Sequence, residues 1–289
     1  MKLPARSFAL SVLLVAALCL LLPAAPLHAQ ATKIFVASYG DDANDGSRGS
    51  PMRNFQAAHN AVGAGGQIVV LDTAGYGQLN IGKSVSITVP PGVNGFVTAT
   101  GNSNGLAIAA ASASVALRGL IIEGGSNGNP GSGGTGISVT TVGNLTVEDC
   151  TVRNFNAGIL VSTTQPAKCY LHDCTVRGCF NGLSVVSNAG GVAAVATGCR
   201  VEQNLNVGAS AQGLASADLT LVDCVISGNA TGIASQFAAA LVRVDNCCIT
   251  SNNTNGVTSS SGGQIVSRGN NTLESNGGNN AFPGTYSAK

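Results

Sequence analysis

Five cysteines, Cys150, Cys174, Cys199, Cys224 and Cys247, follow one another at intervals of 24, 25, 25 and 23 residues. Each opens the same pattern: a cysteine, any residue, then valine or isoleucine. The register extends backward to Leu120-Ile121-Ile122 and forward to Asn271-Thr272-Leu273, giving seven copies of one unit. A fixed period of this length marks a stacked-repeat chain, in which each unit buries its apolar face only against its neighbours.

Three short strands fit inside each copy. Ahead of the cysteine, apolar residues take alternate positions (Val115 and Leu117, Leu145 and Val147, Cys169 and Leu171, Leu219 and Leu221, Val242 and Val244), the period of a half-buried strand. The residue just before the cysteine column is Gly119, Asp149, Asp173, Gly198, Asp223, Asn246 or Asn270. Glycine, aspartate and asparagine are the residues that tolerate left-handed backbone, so a sharp bend is expected there. About eight residues after the cysteine a glycine starts a third strand: Gly158, Gly182, Gly208, Gly232 and Gly256, with Gly136 as an earlier member. Three strands and three bends per unit make one coil of an all-β, right-handed parallel β-helix, because stacked coils supply the crossovers that parallel strands need. A leucine-rich repeat has a similar length, but its leucine skeleton is absent.

A stack of coils exposes an apolar end, so a cap is expected over residues 32–84, together with the first coil. Ser50-Pro51 reads as the start of a short capping helix running to about Val62, with Phe55, Ala58 and Val62 on one face. The remaining repeats and a loose tail occupy 85–289. Residues 1–31 have the order of a signal peptide: Lys2 and Arg6, an apolar run from Phe8 to Leu22, then Ala29-Gln30-Ala31. A secreted or periplasmic protein is expected, with no membrane span once that segment is removed. Taking Lys2 and Arg6 from the 14 basic residues leaves 12 against 13 acidic ones, which selects for no nucleic acid. A monomer is expected.

Phe35-Val36-Ala37-Ser38, Gly40-Asp41-Asp42-Ala43-Asn44-Asp45-Gly46, Ser50-Pro51, Phe55-Gln56-Ala57-Ala58 and Gly65-Gly66-Gln67-Ile68-Val69-Val70-Leu71 resemble the opening segment of secreted bacterial β-helix repeat proteins of the pectate-lyase-like superfamily. The resemblance covers essentially all of the chain after residue 31 and is specific for fold. For activity it is uninformative, because this fold carries lyases, hydrolases and adhesins. In many relatives the first loop carries two cysteines; here Gly46 and Met52 stand in their place, so no disulfide is implied across it.

A pectate-type lyase would imply aspartates holding calcium and a basic residue removing a proton. The acidic stretch Asp41, Asp42 and Asp45 lies in the first loop rather than on a coil, and fails as a calcium loop because Ala43 and Met52 occupy ligand positions. It reads as a loop whose side chains bond its own backbone. Glycosidases use paired carboxylates; the comparable pair, Asp149 and Asp173, belongs to the bend column. No metal or cofactor is expected. What remains is a set of outward residues on neighbouring coils: Glu148 and His172 in one column, and Arg153, Arg177 and Glu202 in another, with Tyr170 and Phe180 adding aromatic surface. Arginines could bind an acidic sugar's carboxylate and His172 could act as acid or base. The cysteines are expected to form a buried ladder, with Cys179 and Cys248 as the more reactive thiols. The expected function is therefore a β-helix that binds polysaccharide or a cell-envelope component through its lateral surface. A polysaccharide lyase or glycoside hydrolase using Glu148, His172, Arg153 and Arg177 is the alternative.

Overall fold

A computed structural model describes residues 31–125 and 133–287. They form a parallel β-solenoid containing, among the described residues, one helix, Phe55–Ala61. The segment read as a signal peptide lies outside the described residues except for Ala31, which begins the first strand, Ala31–Val36.

Each coil contributes to three faces. Face I holds the strands before the cysteine column: Ala167–His172, Val192–Thr197, Ala217–Val222, Ala240–Asp245 and Gln264–Ser267. Face II holds those after it: Thr151–Arg153, Thr175–Arg177, Arg200–Glu202, Val225–Ser227 and Cys248–Thr250. Face III holds those after the glycine: Ala157–Thr163, Asn181–Ser187, Val207–Gly213, Thr231–Gln236 and Asn255–Ser260. Face II is a separate nine-stranded sheet that begins at Ala74–Gly75 and Gly95–Ala99, ahead of the first copy visible in the sequence. Faces I and III join in a 17-stranded sheet, because Leu106–Arg118 and Thr135–Glu148 run through the corner between them.

The alternating apolar residues do point inward: Leu145, Val147, Cys169, Leu171, Leu219, Leu221, Val242 and Val244 are all buried. Six bend residues have left-handed backbone, with φ of 73° at Gly119, 52° at Asp149 and Asp173, 65° at Gly198, 54° at Asp223 and 50° at Asn246. Asn270 departs from the column. There the left-handed residue is Gly269 (φ 92°), while Asn270 accepts the Asn246 N–H at 3.1 Å and donates to Asp245 at 2.8 Å. Glycine takes the bend at no steric cost, which frees the asparagine side chain to bond the coil below. The glycines that open face III have another reason. A Cβ on Gly182 would stand 2.4 Å from the Gly208 carbonyl oxygen, and one on Gly232 2.5 Å from that of Gly256, so the column is closed to any side chain.

At the second bend, between faces II and III, lies a ladder that the sequence analysis missed. Asn204, Asn229 and Asn252 are buried and Asn276 continues their column. Each Oδ1 accepts the backbone N–H of the preceding coil, from Cys179, Asn204, Asn229 and Asn252 in turn, at 3.0, 3.0, 3.1 and 3.0 Å. Each Nδ2 donates to a carbonyl, of Val176, Val201, Ile226 or Ile249. Backbone groups that would otherwise be buried without partners are thereby satisfied.

The helix begins later than expected. Asn54, not Ser50, occupies its N-cap position, because Met52 pairs through its backbone with the first strand (Met52 N to Phe35 O and Ala37 N to Met52 O, both 2.9 Å). Residues committed to a strand cannot also start a helix. Seven residues are too few to hold helical shape alone; the helix is kept by packing, with Phe55 and Tyr76 ring centroids 5.1 Å apart. His59 is buried at its inner side and neither ring nitrogen has a partner. Burial, then the nearby Lys83 cation, hold its pKa below the ordinary value.

Two outcomes follow. Leu221→Ala, which empties a fully buried position in mid-stack, should cost about 2–5 kcal/mol of unfolding free energy, read as a lowered denaturation midpoint. Because burial holds the folded pKa of His59 below its unfolded value, its contribution is fully present above the unfolded histidine pKa of about 6.5 and is lost as pH falls below that toward the folded pKa. His59→Leu should flatten the fall in melting temperature between neutral and mildly acidic pH. An unchanged slope would show that His59 is not the group responsible.

Candidate functional site

Strand alternation places the expected surface residues outward, and coil pairing sets their columns. On face I, Arg118, Glu148 and His172 are in register; on face II, Glu123, Arg153, Arg177 and Glu202 are. The two columns occupy different faces, with the Asp149 and Asp173 bends between them. Several charges are already engaged. Arg118 lies 3.6 Å from Glu148 and 3.4 Å from Asp149. Arg153 lies 3.0 Å from Glu123, and Glu202 pairs with Arg200. The adjacent arginines are thus flanked by acids in their own column, which offsets their repulsion. Among the described residues no carboxylate lies within ion-pairing distance of Arg177, so it is the exposed arginine left available in the column.

The structure adds Lys168, which the sequence analysis passed over. In the strand Ala167–His172 burial alternates, so Lys168, Tyr170 and His172 face outward at two-residue intervals, about 6.6 Å apart. On the next coil their partners are Ala193, Val195 and Thr197, short side chains that leave the Tyr170 ring partly exposed, at 38%. On the preceding coil the partners are Asn144, Thr146 and Glu148. Beside Lys168 a shallow hollow of about 460 Å³ is lined by Asn144, Pro166, Lys168, Ala193, Ser216 and Asp218. Asp218 is itself 3.8 Å from Arg243. A cation, an aromatic ring and an imidazole over a floor of small side chains can take a carboxylate at one point and the apolar face of a sugar ring at another. Lys168 was legible in principle: with Cys169 and Leu171 assigned inward, alternation puts it outside.

The acidic loop uses its oxygens on itself. Asp41 accepts from Ala43 N–H and Asp45 from Ser47 N–H, both at 2.9 Å, while Asp42 accepts the Arg53 and Asn54 N–H groups at 2.9 and 2.8 Å. Burial raises the pKa of Asp42, but these bonds and the Asn54 side chain outweigh it and hold the carboxyl below its usual range. Among the described residues no group of three His, Cys, Asp or Glu side chains stands together as a metal site would require.

The ladder cysteines Cys150, Cys174, Cys199, Cys224 and Cys247 are buried free thiols. Each Sγ donates to the carbonyl two residues before it, at 3.2 to 3.5 Å. Cys179 corrects the expectation of a reactive thiol. It is fully buried in the column of Phe155 and Asn204, and burial pushes its pKa up to about 11. Cys150 and Cys169 are pushed up to about 12 for the same reason. Cys248, half-exposed on face II, remains the accessible member among the described cysteines. A chromogenic disulfide reagent should therefore label Cys248 rapidly in the native protein and the buried thiols only on unfolding. Rapid native labelling of Cys179, read by peptide mapping, would show that its bend opens.

No family model and no curated protein matches the sequence. Solved structures do match in shape. The chain is similar to the crystal structure of pectate lyase Pel9A, with a TM-score of 0.66 at 14% identity over 81% of this chain and 67% of that one. It is also similar to a rhamnogalacturonan lyase, with a TM-score of 0.57 at 11% identity over 81% and 72%. At such identities the likeness is one of fold: this chain shares the parallel β-helix architecture of those two proteins.

Proposed function

We propose that this is an exported binding protein that holds an acidic polysaccharide along face I, at Lys168, Tyr170 and His172, with Arg177 beyond the bend. The observation that carries the reading is the spacing of three outward, polar or aromatic side chains along one strand, above a row of small residues on the next coil. The wall offers contacts repeated along the strand, as a chain of sugar units requires. Glu148 and Arg153, the other candidates for chemistry, are engaged by Arg118 and Glu123, which favours binding over proton transfer. In the same reading the helix Phe55–Ala61 and the first strand serve as the N-terminal cap. The alternative is a polysaccharide lyase or glycoside hydrolase; its support is the fold shared with two proteins whose names record lyase activity.

Binding to a panel of acidic and neutral polysaccharides decides between them. Lys168→Ala with Tyr170→Ala should weaken binding of an acidic glycan roughly tenfold, about 1.4 kcal/mol. The wild-type affinity should also fall as salt is raised, because the cations are exposed. Unsaturated products absorbing in the ultraviolet would establish the lyase instead, and new reducing ends without them a hydrolase. Unaltered binding in the double variant would remove this strand from the reading.

A further inference from the structure

Face III differs from the other two in charge. Its strands, Leu79–Ile81, Ala157–Thr163, Asn181–Ser187, Val207–Gly213, Thr231–Gln236, Asn255–Ser260 and the opening halves of Leu106–Arg118 and Thr135–Glu148, contain no charged residue. Faces I and II carry the ion pairs described above. Along the middle of face III the outward column includes Ser138, Leu160, Ser184, Ser210 and Ala234, in register from coil to coil. Ser184 and Ser210 point outward yet are only 8% and 3% exposed, so the column is a shallow furrow. Both margins of the furrow are apolar and exposed. Phe180 (38%) and Leu205 (54%) lie just before the strands, and Leu214 (75%) and Phe237 (37%) just after.

We infer that face III is a docking surface for a second copy of this chain, in place of the monomer expected from the sequence. Depletion of charge is a mark of interface centres, four large apolar side chains exposed along the margins of one wall form a surface that water disfavours, and closed two-fold pairs are the commonest assembly. The area is of the right size. The eight stretches of face III vary from three to seven residues and together hold about 48, which at roughly 3.3 Å per residue and 4.8 Å between strands offers about 760 Å² where each partner of a stable complex contributes about 800 Å². With the two-fold along the solenoid axis, opposite margins meet. Leu205 and Leu214 flank one strand, Val207–Gly213, so Leu205 of one copy faces Leu214 of the other at the same height.

Sedimentation of the purified protein tests this independently of any glycan. The wild type should be a dimer across the micromolar range with a melting temperature that rises with concentration, and Leu205→Lys with Leu214→Lys should be a folded monomer, still melting in one cooperative transition, at a temperature independent of concentration. Leu205→Glu with Leu214→Glu should also be a monomer, and an equal mixture of the two double variants should restore the dimer. Ser227→Lys on face II should leave the dimer intact. A wild type that stays monomeric overturns the inference, as does a dimer that survives the lysines or a mixture that fails to pair.

Discussion

Every coil of this solenoid turns three corners, and at the two that flank face II the backbone leaves one sheet before joining another. The N–H and C=O groups passing through a corner would be buried without partners, which costs more than most side-chain contacts supply. The rest of the structure depends on how those groups are satisfied. At the first corner, left-handed residues bring each strand round so that the N–H of Asp149 reaches the His172 carbonyl at 3.0 Å and that of Asp173 reaches Thr197. At the second, asparagine side chains do the work that backbone geometry cannot. At the opening of face III, glycines let the coils approach without collision. Each device works only if the next coil presents the partner group at the same height, which is why the period is held so closely.

Once the coils are locked in register, the interior and the exterior obey different rules. Interior columns must fill space, and small or medium apolar residues, including the thiols of the cysteine ladder, do so with little change from coil to coil. Exterior columns are free of that demand, and their chemistry differs between faces. Face I combines cations with an aromatic ring, face II pairs arginines with glutamates, and face III excludes charge. A regular solenoid thus offers three separately composed walls, and a function on one leaves the others undisturbed. The fold is shared with polysaccharide lyases, whereas activity belongs to the side chains on these walls.

Much of this was legible from the period alone. Because a strand alternates strictly, naming Leu171 as interior also names Tyr170 and His172 as exterior. Because coils stack in register, the spacing from Arg153 to Arg177 makes them neighbours. The asparagine column repeats at 25, 23 and 24 residues, as regular as the cysteines, yet its earlier members are Phe155 and Cys179. A column that changes from apolar to polar midway carries no single-residue signature. The helix start was misplaced because Ser50-Pro51 is a sound local signal, overridden by the pairing of Met52 with a strand sixteen residues earlier in the chain.

The amino-acid order therefore determined the repeat, the bend positions, which side chains face in, and which residues share a column, since all of these follow from local periodicity and stacking. Tertiary structure decided which acids each long side chain reaches, since Arg118 pairs both with Glu148 in its own column and with Asp149 at the bend. It also decided that Cys179 is sealed inside while Cys248 is not, and that the uncharged stretches of eight separate strands fall on one wall. Those outcomes depend on how far a side chain extends and what meets it in space, and the one-dimensional period contains neither.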